Sequence, residues 1–415
     1  MELRKNQIII LGALGIIILF LVLLFSGIIP GLRPIRRVRK IELEFWGIED
    51  ISVYRDFIDQ FCESYPNLKI NYRRIPESDY ETELINGLAS LKGPDILMIK
   101  NTWLLKHYDK ISPLPPERFG VKDLQKLFPK VVEQDFALSQ RVYALPLSIY
   151  ALSLIYNQDM LETVGIATLP ETWLEFQKIV PRLTEFEHGS LVKAAAAIGG
   201  SNKSIHKATD LLFALMLQSG CPMVDKKVTR AIFGPGIEAL DFYTHFANAQ
   251  NRDYTWNEKF GYSLDAFCKE KVAMIFDYSY ILPLLEQKNP YLRIGIAPLP
   301  QLDPDNPINY ADYWGYSVSN QSKYPEISWD FVLSLTTNKQ NVYSYLQKTG
   351  NPPALRDFIE EPQTLTARSW PQVDAKKISQ VFSRAIEEVI TGKKTVSDVL
   401  GEVELQVTEL IRTRF

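Results

Sequence analysis

Hydrophobic residues along positions 41–100 switch repeatedly between the spacing of a strand and that of a helix. Segment 41–47 (IELEFWG) alternates with a period of two, as in a strand, and the apolar residues of 50–66 recur at helical spacing. Strand patterns return in 68–76 (LKINYRRIP) and in 95–100 (DILMIK), the second a continuous apolar run typical of a fully buried strand. This alternation predicts an α/β fold with a parallel sheet covered by helices.

The boundaries of these elements predict one capping motif and one ligand-binding edge. Ser78 and Glu81 have the spacing of a capping box ahead of the second helix, which we expect to end at Gly93. Ligands of parallel α/β sheets bind beyond the carboxyl ends of the strands. Trp46 lies at the end of one such strand, and residues 101–103 (Asn-Thr-Trp) follow another. The sequence therefore places a candidate site at this edge of the sheet.

Later segments extend the pattern. The run 151–159 (ALSLIYNQD) alternates like a strand, and we expect Asn157 to cap the helix that follows it. Near the C-terminus, apolar residues repeat at helical spacing until Gly392, which predicts the end of that helix. Trp173 and Trp329 lie in amphipathic segments and are expected to pack away from any binding site.

The N-terminal segment differs from the rest of the chain. Residues 8–29 contain no charge, and as a helix they would span roughly 33 Å, enough for a hydrocarbon core of about 30 Å. We predict an uncleaved transmembrane signal anchor at 8–29, a short tail at 1–7 and a basic linker at 30–40. More basic residues follow the run than precede it, so the positive-inside rule favours a cytoplasmic domain. This orientation conflicts with the function inferred below.

Composition and charge argue against several classes of function. A formal net charge of −3 gives no electrostatic basis for binding nucleic acid. The three cysteines are too few for a disulfide framework, so we expect reduced thiols, with a Cys221–Cys268 bridge as the alternative. Dinucleotide, phosphate-loop and nucleophile-elbow motifs are missing, and the four histidines lack metal-site spacing. The sequence predicts no metal, no cofactor and no catalysis.

A series of segments resembles the extracellular solute-binding proteins of family 1, the carbohydrate-binding components of ABC importers that include maltose-binding protein. The resemblance starts at 45–70, is marked again at 143–166 (YALPLSIYALSLIYNQDMLETVGI), and covers nearly all of 41–415. The chain departs from the family in lacking a cysteine for lipid attachment. It also has Cys221 and Tyr278 where glycine is common.

The resemblance implies a two-lobed, periplasmic-binding-protein-like (type II) α/β fold behind the N-terminal transmembrane helix. Lobe 1 would comprise 41–148 and 311–362, and lobe 2 would comprise 149–310 and 363–415. The chain would cross between them at a hinge near 148–150, and the lobes would close on a ligand.

The same resemblance places aromatic, carboxylate and amide side chains near the cleft between the lobes. An aromatic ring covers the apolar face of a sugar, while carboxylates and amides bind its hydroxyls. The expected ligand-binding residues are Trp46, Asp50, Asn101, Trp103, Tyr150, Asp277, Tyr280 and Trp314. Alternatives stay open: Trp46 or Trp103 could pack in a core, and Asp50 could cap a helix. Tyr278 would narrow the site or add a stacking surface.

These expectations combine into a hypothesis of a membrane-tethered, extracytoplasmic and monomeric protein. It would capture a sugar or oligosaccharide and deliver it to the permease subunits of an ABC importer. A tethered ligand sensor of the same fold is one alternative. A polysaccharide-acting enzyme is another, and it would need an acid–base pair such as Asp50 with Asp277 or Asp312. Peptides, polyamines and phosphate esters stay open as other ligands.

Overall fold

The computed structural model describes residues 5–25, 40–349 and 362–413. Residues 26–29, which end the predicted anchor, and 30–39 of the predicted basic linker lie outside this described part. Across the described residues, no helix combines the length and the apolarity needed to cross a membrane.

The helices in chain order are α1 (Lys5–Phe25), α2 (Ile51–Glu63), α3 (Glu77–Ala89), α4 (Leu104–His107), α5 (Val121–Leu127), α6 (Lys130–Phe136), α7 (Gln158–Thr163), α8 (Trp173–Leu183), α9 (Ala208–Gln218), α10 (Ile237–His245), α11 (Ser263–Cys268), α12 (Leu282–Lys288), α13 (Pro325–Thr337), α14 (Lys339–Lys348), α15 (Pro362–Leu365), α16 (Ala375–Ile390) and α17 (Val396–Arg412). The strands are β1 (Ile41–Gly47), β2 (Leu68–Arg74), β3 (Ile96–Lys100), β4 (Ile111–Ser112), β5 (Ala137–Leu138), β6 (Arg141–Val142), β7 (Leu145–Pro146), β8 (Tyr150–Ala151), β9 (Ser153–Asn157), β10 (Glu185–Glu187), β11 (Ser190–Ala196), β12 (Met223–Val224), β13 (Ala231–Ile232), β14 (Val272–Asp277), β15 (Ile294–Pro298), β16 (Asn309–Asp312), β17 (Trp314–Ser319) and β18 (Ala367–Arg368).

The buried apolar side chains form two separate clusters, which define two lobes. The cluster of lobe 1 draws on residues between 43 and 149 and between 311 and 346, together with Ala367. The cluster of lobe 2 draws on residues between 150 and 310 and between 370 and 411. The expected two-lobed α/β architecture is confirmed.

Lobe 1 is built on a sheet of order β2-β1-β3-β17-β4, in which β7 also pairs with β17. Strands β1, β2 and β3 are parallel, as the alternating pattern predicted. Strand β17 returns antiparallel to β3, so that Trp314 lies opposite Lys100. This pairing brings the start of β17 to the edge where β3 ends.

Lobe 2 is built on a sheet of order β10-β11-β14-β9-β15. Strand β9 runs antiparallel to both β14 and β15, while β11 is parallel to β14. Helix α8 covers this sheet, and its Trp173 ring lies 5.5 Å from that of Phe276 in β14. Trp173 and, in lobe 1, Trp329 are both buried, as expected.

A three-stranded sheet of order β18-β16-β8 lies where the chain passes between the two core clusters. Strand β16 is antiparallel to β8, with Asp312 opposite Tyr150, and parallel to β18. The clusters change over between Ile149 and Tyr150 and between Tyr310 and Ala311. The crossings are therefore hydrogen-bonded to one another.

The predicted capping box at Ser78 and Glu81 is wrong. Helix α3 begins earlier, at Glu77, and follows Pro76, which provides no side-chain cap. Glu81 instead turns toward α4, where its carboxylate lies 2.8 Å from His107 Nε2. A tertiary partner has replaced the local contact that the spacing suggested.

Other local predictions have mixed outcomes. Asn157 caps α7, because its side-chain oxygen accepts a hydrogen bond of 3.0 Å from the amide of Met160. Gly392 lies just beyond α16 with φ of 67°, as expected for a helix end. Helix α3, however, ends at Ala89, ahead of Gly93. All three cysteines are free thiols.

Candidate functional site

Two adjoining cavities open between the lobes, beside the ends of β1 and β3 and the crossing strands. The tyrosine cavity, of about 230 Å³, has a lining that includes Tyr150, Tyr280, Tyr313, Tyr316 and Tyr345. The tryptophan cavity, of about 420 Å³, has a lining that includes Trp103, Lys207, Asp210 and Gln372. Four residues line both cavities, which therefore form one cleft: Glu77, Lys100, Asp312 and Trp314.

A larger groove, of about 620 Å³, lies next to Pro146 and Ile149 and meets the tyrosine cavity only at Leu147 and Ser148. Its described lining is mainly apolar and contains no carboxylate. The cleft is the better candidate site, because binding pockets combine apolar walls with a few converging polar groups.

Asp312 is the hub of the cleft. Its carboxylate lies 2.9 Å from the ammonium of Lys100 in lobe 1 and 3.0 Å from that of Lys207 in lobe 2. Tyr280 donates a hydrogen bond of 2.7 Å to the same group. Burial acts to raise the pKa of Asp312, but the two lysines and the Tyr280 hydroxyl outweigh it and lower the pKa below its ordinary value. The carboxylate therefore stays ionised and connects both lobes.

Lys207 is held in place by aromatic rings as well as by Asp312. It precedes α9 in a left-handed backbone conformation, with φ of 58°. Its ammonium lies 5.1 Å from the ring centroid of Tyr278 and 5.8 Å from that of Tyr280, within the range of cation–π attraction. Burial acts to lower the pKa of Lys207, but Asp312, Tyr280 and Asp210 together outweigh it and hold the pKa above its ordinary value.

Tyr278 lies behind the cleft and does not line it. Its ring is fully buried and stacks on Tyr280, with centroids 5.4 Å apart and 15° between the planes. Its hydroxyl donates a hydrogen bond of 3.0 Å to Asp210. Tyr278 therefore supports the ring that does line the tyrosine cavity, and the expectation that it narrows the site directly does not match this position.

Four of the expected aromatic residues meet in the cleft. Tyr150 and Tyr280 pack edge to face, with centroids 5.2 Å apart. Trp103 and Trp314 pack in the same manner at 5.1 Å. The Lys100 ammonium lies 5.0 Å from the Trp314 ring. The rings come from distant parts of the chain, and each leaves some surface toward a cavity.

Trp46 lies outside both cavities, in contrast to the expectation. Its side chain is 5% exposed and packs inside lobe 1, against α3. A Cβ atom added to Gly87 would come within 2.5 Å of the indole ring, and the Arg73 guanidinium carbon lies 4.6 Å from the ring centroid. The residue does end a strand, but its side chain faces the covering helix and not the strand end.

Asp50 and Asp277 have structural partners and lie outside the cavities. Asp50 caps α2 by accepting a 2.9 Å hydrogen bond from the amide of Ser52. Asp277, at the end of β14, is fully buried, contacts His206 Nδ1 and accepts the amide of Tyr278 at 2.8 Å. Both carboxylates were expected to bind sugar hydroxyls, and both instead have partners within the protein.

Asn101 is buried at the base of the tryptophan cavity. Its Nδ2 donates to Asp135 at 3.2 Å and to the carbonyl of Ala311 at 3.3 Å, while its Oδ1 has no hydrogen-bond partner among the described residues. Asp135 also accepts hydrogen bonds from Tyr313, at 2.7 Å, and from Ser369. Burial raises the pKa of Asp135 to about 7, against the effect of these donors.

The sequence reasoning missed several cleft residues. They are Glu49, Glu77, Lys100, Lys207, Tyr316 and Tyr345. Glu49 and Lys100 could have been found, because each lies at or just after the carboxyl end of a parallel strand. Lys207 and Tyr345 reach the cleft from a loop and from α14, and no local pattern marks them.

Among the described residues, no group of three histidine, cysteine or acidic side chains is arranged to hold a metal ion. Taken together, the contacts described above form a cleft between two lobes, with aromatic walls and a central carboxylate.

Comparison with known proteins supports the two-lobed fold. The family model of bacterial extracellular solute-binding proteins matches residues 47–342. The maltodextrin-binding protein MdxE of Bacillus subtilis (strain 168) is 23% identical over 338 residues, which cover 74% of each chain. The solved structure of the cyclic alpha-maltosyl-1,6-maltose binding protein from Arthrobacter globiformis aligns with a TM-score of 0.74, at 18% identity, over 90% of this chain and 99% of that one. The sugar-binding protein MalE of Xanthomonas citri aligns with a TM-score of 0.72, at 17% identity, over 90% and 98%. At these identities, the structural likeness shows a shared fold.

Proposed function

The chain belongs to the bacterial extracellular solute-binding protein family, and from this premise we propose that it captures a sugar or oligosaccharide in the cleft and delivers it to an ABC importer. It is a binding protein and not an enzyme. Relatives and structural neighbours whose names specify maltodextrin or maltose-type sugars support the carbohydrate assignment.

The observation that carries the proposal is the joint exposure of aromatic faces and polar groups in one cleft. Tyr150, Tyr280 and Trp314 offer rings that can cover the C–H face of a pyranose. Glu77 and Asp312 border the same space and can accept hydrogen bonds from sugar hydroxyls. Rigid aromatic surfaces combined with a few fixed polar groups are what a sugar site requires.

Closure of the lobes on the ligand is the proposed mechanism. We infer that lobe 1 comprises 41–148 and 311–362, that lobe 2 comprises 149–310 and 363–415, and that the hinge lies near 148–150. The two core clusters support these bounds except at Ile149 and Ala367, which belong to the cluster of lobe 1. Asp312 lies at the crossing and contacts Lys207 from lobe 2 and Lys100 from lobe 1. A ligand would favour the closed arrangement only if it bound that arrangement more tightly than the open one.

Tethering to the membrane is the second part of the proposal. It is supported by the uncharged run at 8–29 and by the exposure of the described apolar side chains of α1, among them Ile16 and Phe20. We propose that residues 41–415 lie outside the cytoplasm, as delivery to an importer demands. Protease treatment of intact cells tests this orientation, because protection of residues 41–415 would rule it out.

Isothermal titration calorimetry on the full chain tests the sugar proposal. The detergent should be a polyoxyethylene ether, since a glycoside detergent presents a competing sugar headgroup. We expect at least one member of a panel of mono- and oligosaccharides to bind, and small-angle scattering to show a more compact protein in its presence. If no sugar in the panel binds, the proposed function is wrong.

A further inference from the structure

We infer that the tyrosine cavity selects a saccharide bearing a positively charged amino group, with Glu49 as the counter-ion. The inference rests on the proposed function and refines its ligand. It comes from an imbalance of charge in the cavity, combined with a lining in which five tyrosines and Trp314 take part.

The charge imbalance is visible in the described lining. Three carboxylates, those of Glu49, Glu77 and Asp312, border the tyrosine cavity, against the single ammonium of Lys100. Lys100 is shared between Asp312, at 2.9 Å, and Glu77, at 3.1 Å. Asp312 is also satisfied by Lys207 from outside this cavity. The cations near the cavity are therefore already engaged, and none of them reaches Glu49.

Glu49 has no ion pair within the described part of the chain. Its carboxylate accepts a long hydrogen bond, of 3.5 Å, from the hydroxyl of Tyr345. Arg74 lies near enough to act on it through space, but the Arg74 Nε donates instead to the carbonyl of Ile48, at 3.2 Å. Burial, and then the charge of Glu77, raise the pKa of Glu49 and outweigh the charge of Arg74, which acts to lower it.

The aromatic wall favours a cation over a neutral group in the same position. Tyr150, Tyr316 and Tyr345 line the cavity together with Glu49. An ammonium beside aromatic faces gains cation–π attraction, and the gain grows when the cation leaves water. Lys100 over the Trp314 ring, at 5.0 Å, and Lys207 over the Tyr280 ring, at 5.8 Å, are contacts of this kind within the cleft.

A neutral sugar would compensate the negative charge of Glu49 less completely than an amino sugar. A hydroxyl can donate a hydrogen bond to the carboxylate, but it leaves the excess negative charge in a partly closed cavity. An ammonium supplies both the hydrogen bond and the opposite charge, and charge-assisted hydrogen bonds are about twice as strong as neutral ones. A sugar acid would add a fourth carboxylate, so we expect the cavity to reject it.

Calorimetry with matched sugar pairs tests the inference on the full chain in polyoxyethylene detergent. The probes are D-glucosamine against D-glucose and D-galactosamine against D-galactose, at roughly pH 6.5 so that the amine is protonated. We expect one amino sugar to bind at least about tenfold more tightly than its neutral parent, a difference of about 1.4 kcal/mol. Glu49→Gln should reduce this preference to less than about twofold, while Glu83→Gln, on the exposed surface of α3, should retain it.

A pH series gives a second readout. Because the pKa of Glu49 is raised, lowering the pH should protonate this carboxylate before carboxylates of ordinary pKa. Amino-sugar binding should weaken as Glu49 is protonated, and Glu49→Gln should remove this pH dependence. The inference is overturned if neutral and amino sugars bind equally, or if Glu49→Gln retains the preference. In both of these cases neutral sugars still bind, so the proposed function stands. Failure of every sugar to bind overturns both.

Discussion

The phenol of Tyr280 donates a 2.7 Å hydrogen bond to the carboxylate of Asp312, and this contact joins a residue of lobe 2 to the strand that crosses between the lobes. The same carboxylate pairs with Lys207 from lobe 2 and with Lys100 from lobe 1. The groups that would bind a ligand are thus also groups that connect the lobes. Ligand affinity and lobe closure are therefore expected to depend on the same few side chains.

Asp312→Asn should destabilise the protein by roughly 1–3 kcal/mol, because it removes the carboxylate that two partly buried lysines share and leaves Lys100 with Glu77 alone and Lys207 with the more distant Asp210. Denaturant unfolding measures the change. Glu162→Gln is the matched control, since it removes an exposed partner of Arg293 and should cost less than about 1 kcal/mol. Equal stability of Asp312→Asn and the unmodified chain would show that the hub contributes nothing.

Trp314→Ala and Trp46→Ala should have opposite profiles. Trp314 is half-buried and lines both cavities, so its loss should weaken sugar binding by roughly 1–3 kcal/mol with a smaller effect on stability. Trp46 is packed inside lobe 1, so its loss should cost roughly 3–5 kcal/mol of folding free energy and leave the affinity of the folded protein unchanged. Calorimetry and thermal melting separate the two. Loss of affinity in folded Trp46→Ala would contradict this assignment.

Asp135 should make stability fall as the pH rises from about 4 to about 7. The folded protein raises the pKa of this buried carboxyl to about 7, from an ordinary 3.8, so the folded state holds the proton more tightly than the unfolded state. The contribution is complete below the unfolded pKa and is lost as pH rises through about 7, at about 1.4 kcal/mol per pKa unit. Asp135→Asn should flatten the unfolding free energy between about pH 4 and 7, the interval between the unfolded and the folded pKa. The exposed Asp305→Asn should leave the slope as it is, and a slope that persists in Asp135→Asn would refute the assignment.

The periodic parts of the fold could be predicted from the sequence, because strand and helix spacing is local. The parallel order of β1, β2 and β3 follows from alternating strands and helices, and Asn157 was recognised as a cap. The capping box predicted at Ser78 and Glu81 was wrong, since Glu81 has a tertiary partner in His107.

The site was harder to predict than the fold, because its residues converge through tertiary contacts. Trp103, Tyr150, Tyr280 and Trp314 reach the cleft, and their role in binding stays a prediction. The position of Trp46 at a strand end does not reveal which way its indole points. The ion pair of Lys207 with Asp312 joins a loop to a crossing strand about a hundred residues away, so no short sequence window contains both partners.

Two glycine substitutions in helices should change stability in opposite directions. Alanine generally stabilises a helix interior over glycine by roughly 0.5–1 kcal/mol. Gly401 lies on the exposed side of α17 with nothing within 4 Å of a new Cβ, so Gly401→Ala should gain that amount. In α3 a Cβ at Gly87 would lie 2.5 Å from the indole of Trp46.

Gly87→Ala should therefore destabilise the protein, because the buried indole lies between α3 and the Arg73 guanidinium and has little room to move. Overpacking of this kind costs roughly 1–3 kcal/mol and outweighs the gain in helix propensity. Denaturant unfolding of both variants measures the contrast. Combining Gly87→Ala with Trp46→Phe should recover part of the loss, since the smaller ring vacates the space. A Gly87→Ala variant as stable as Gly401→Ala would show that Trp46 is not held against α3 and could turn toward the cleft.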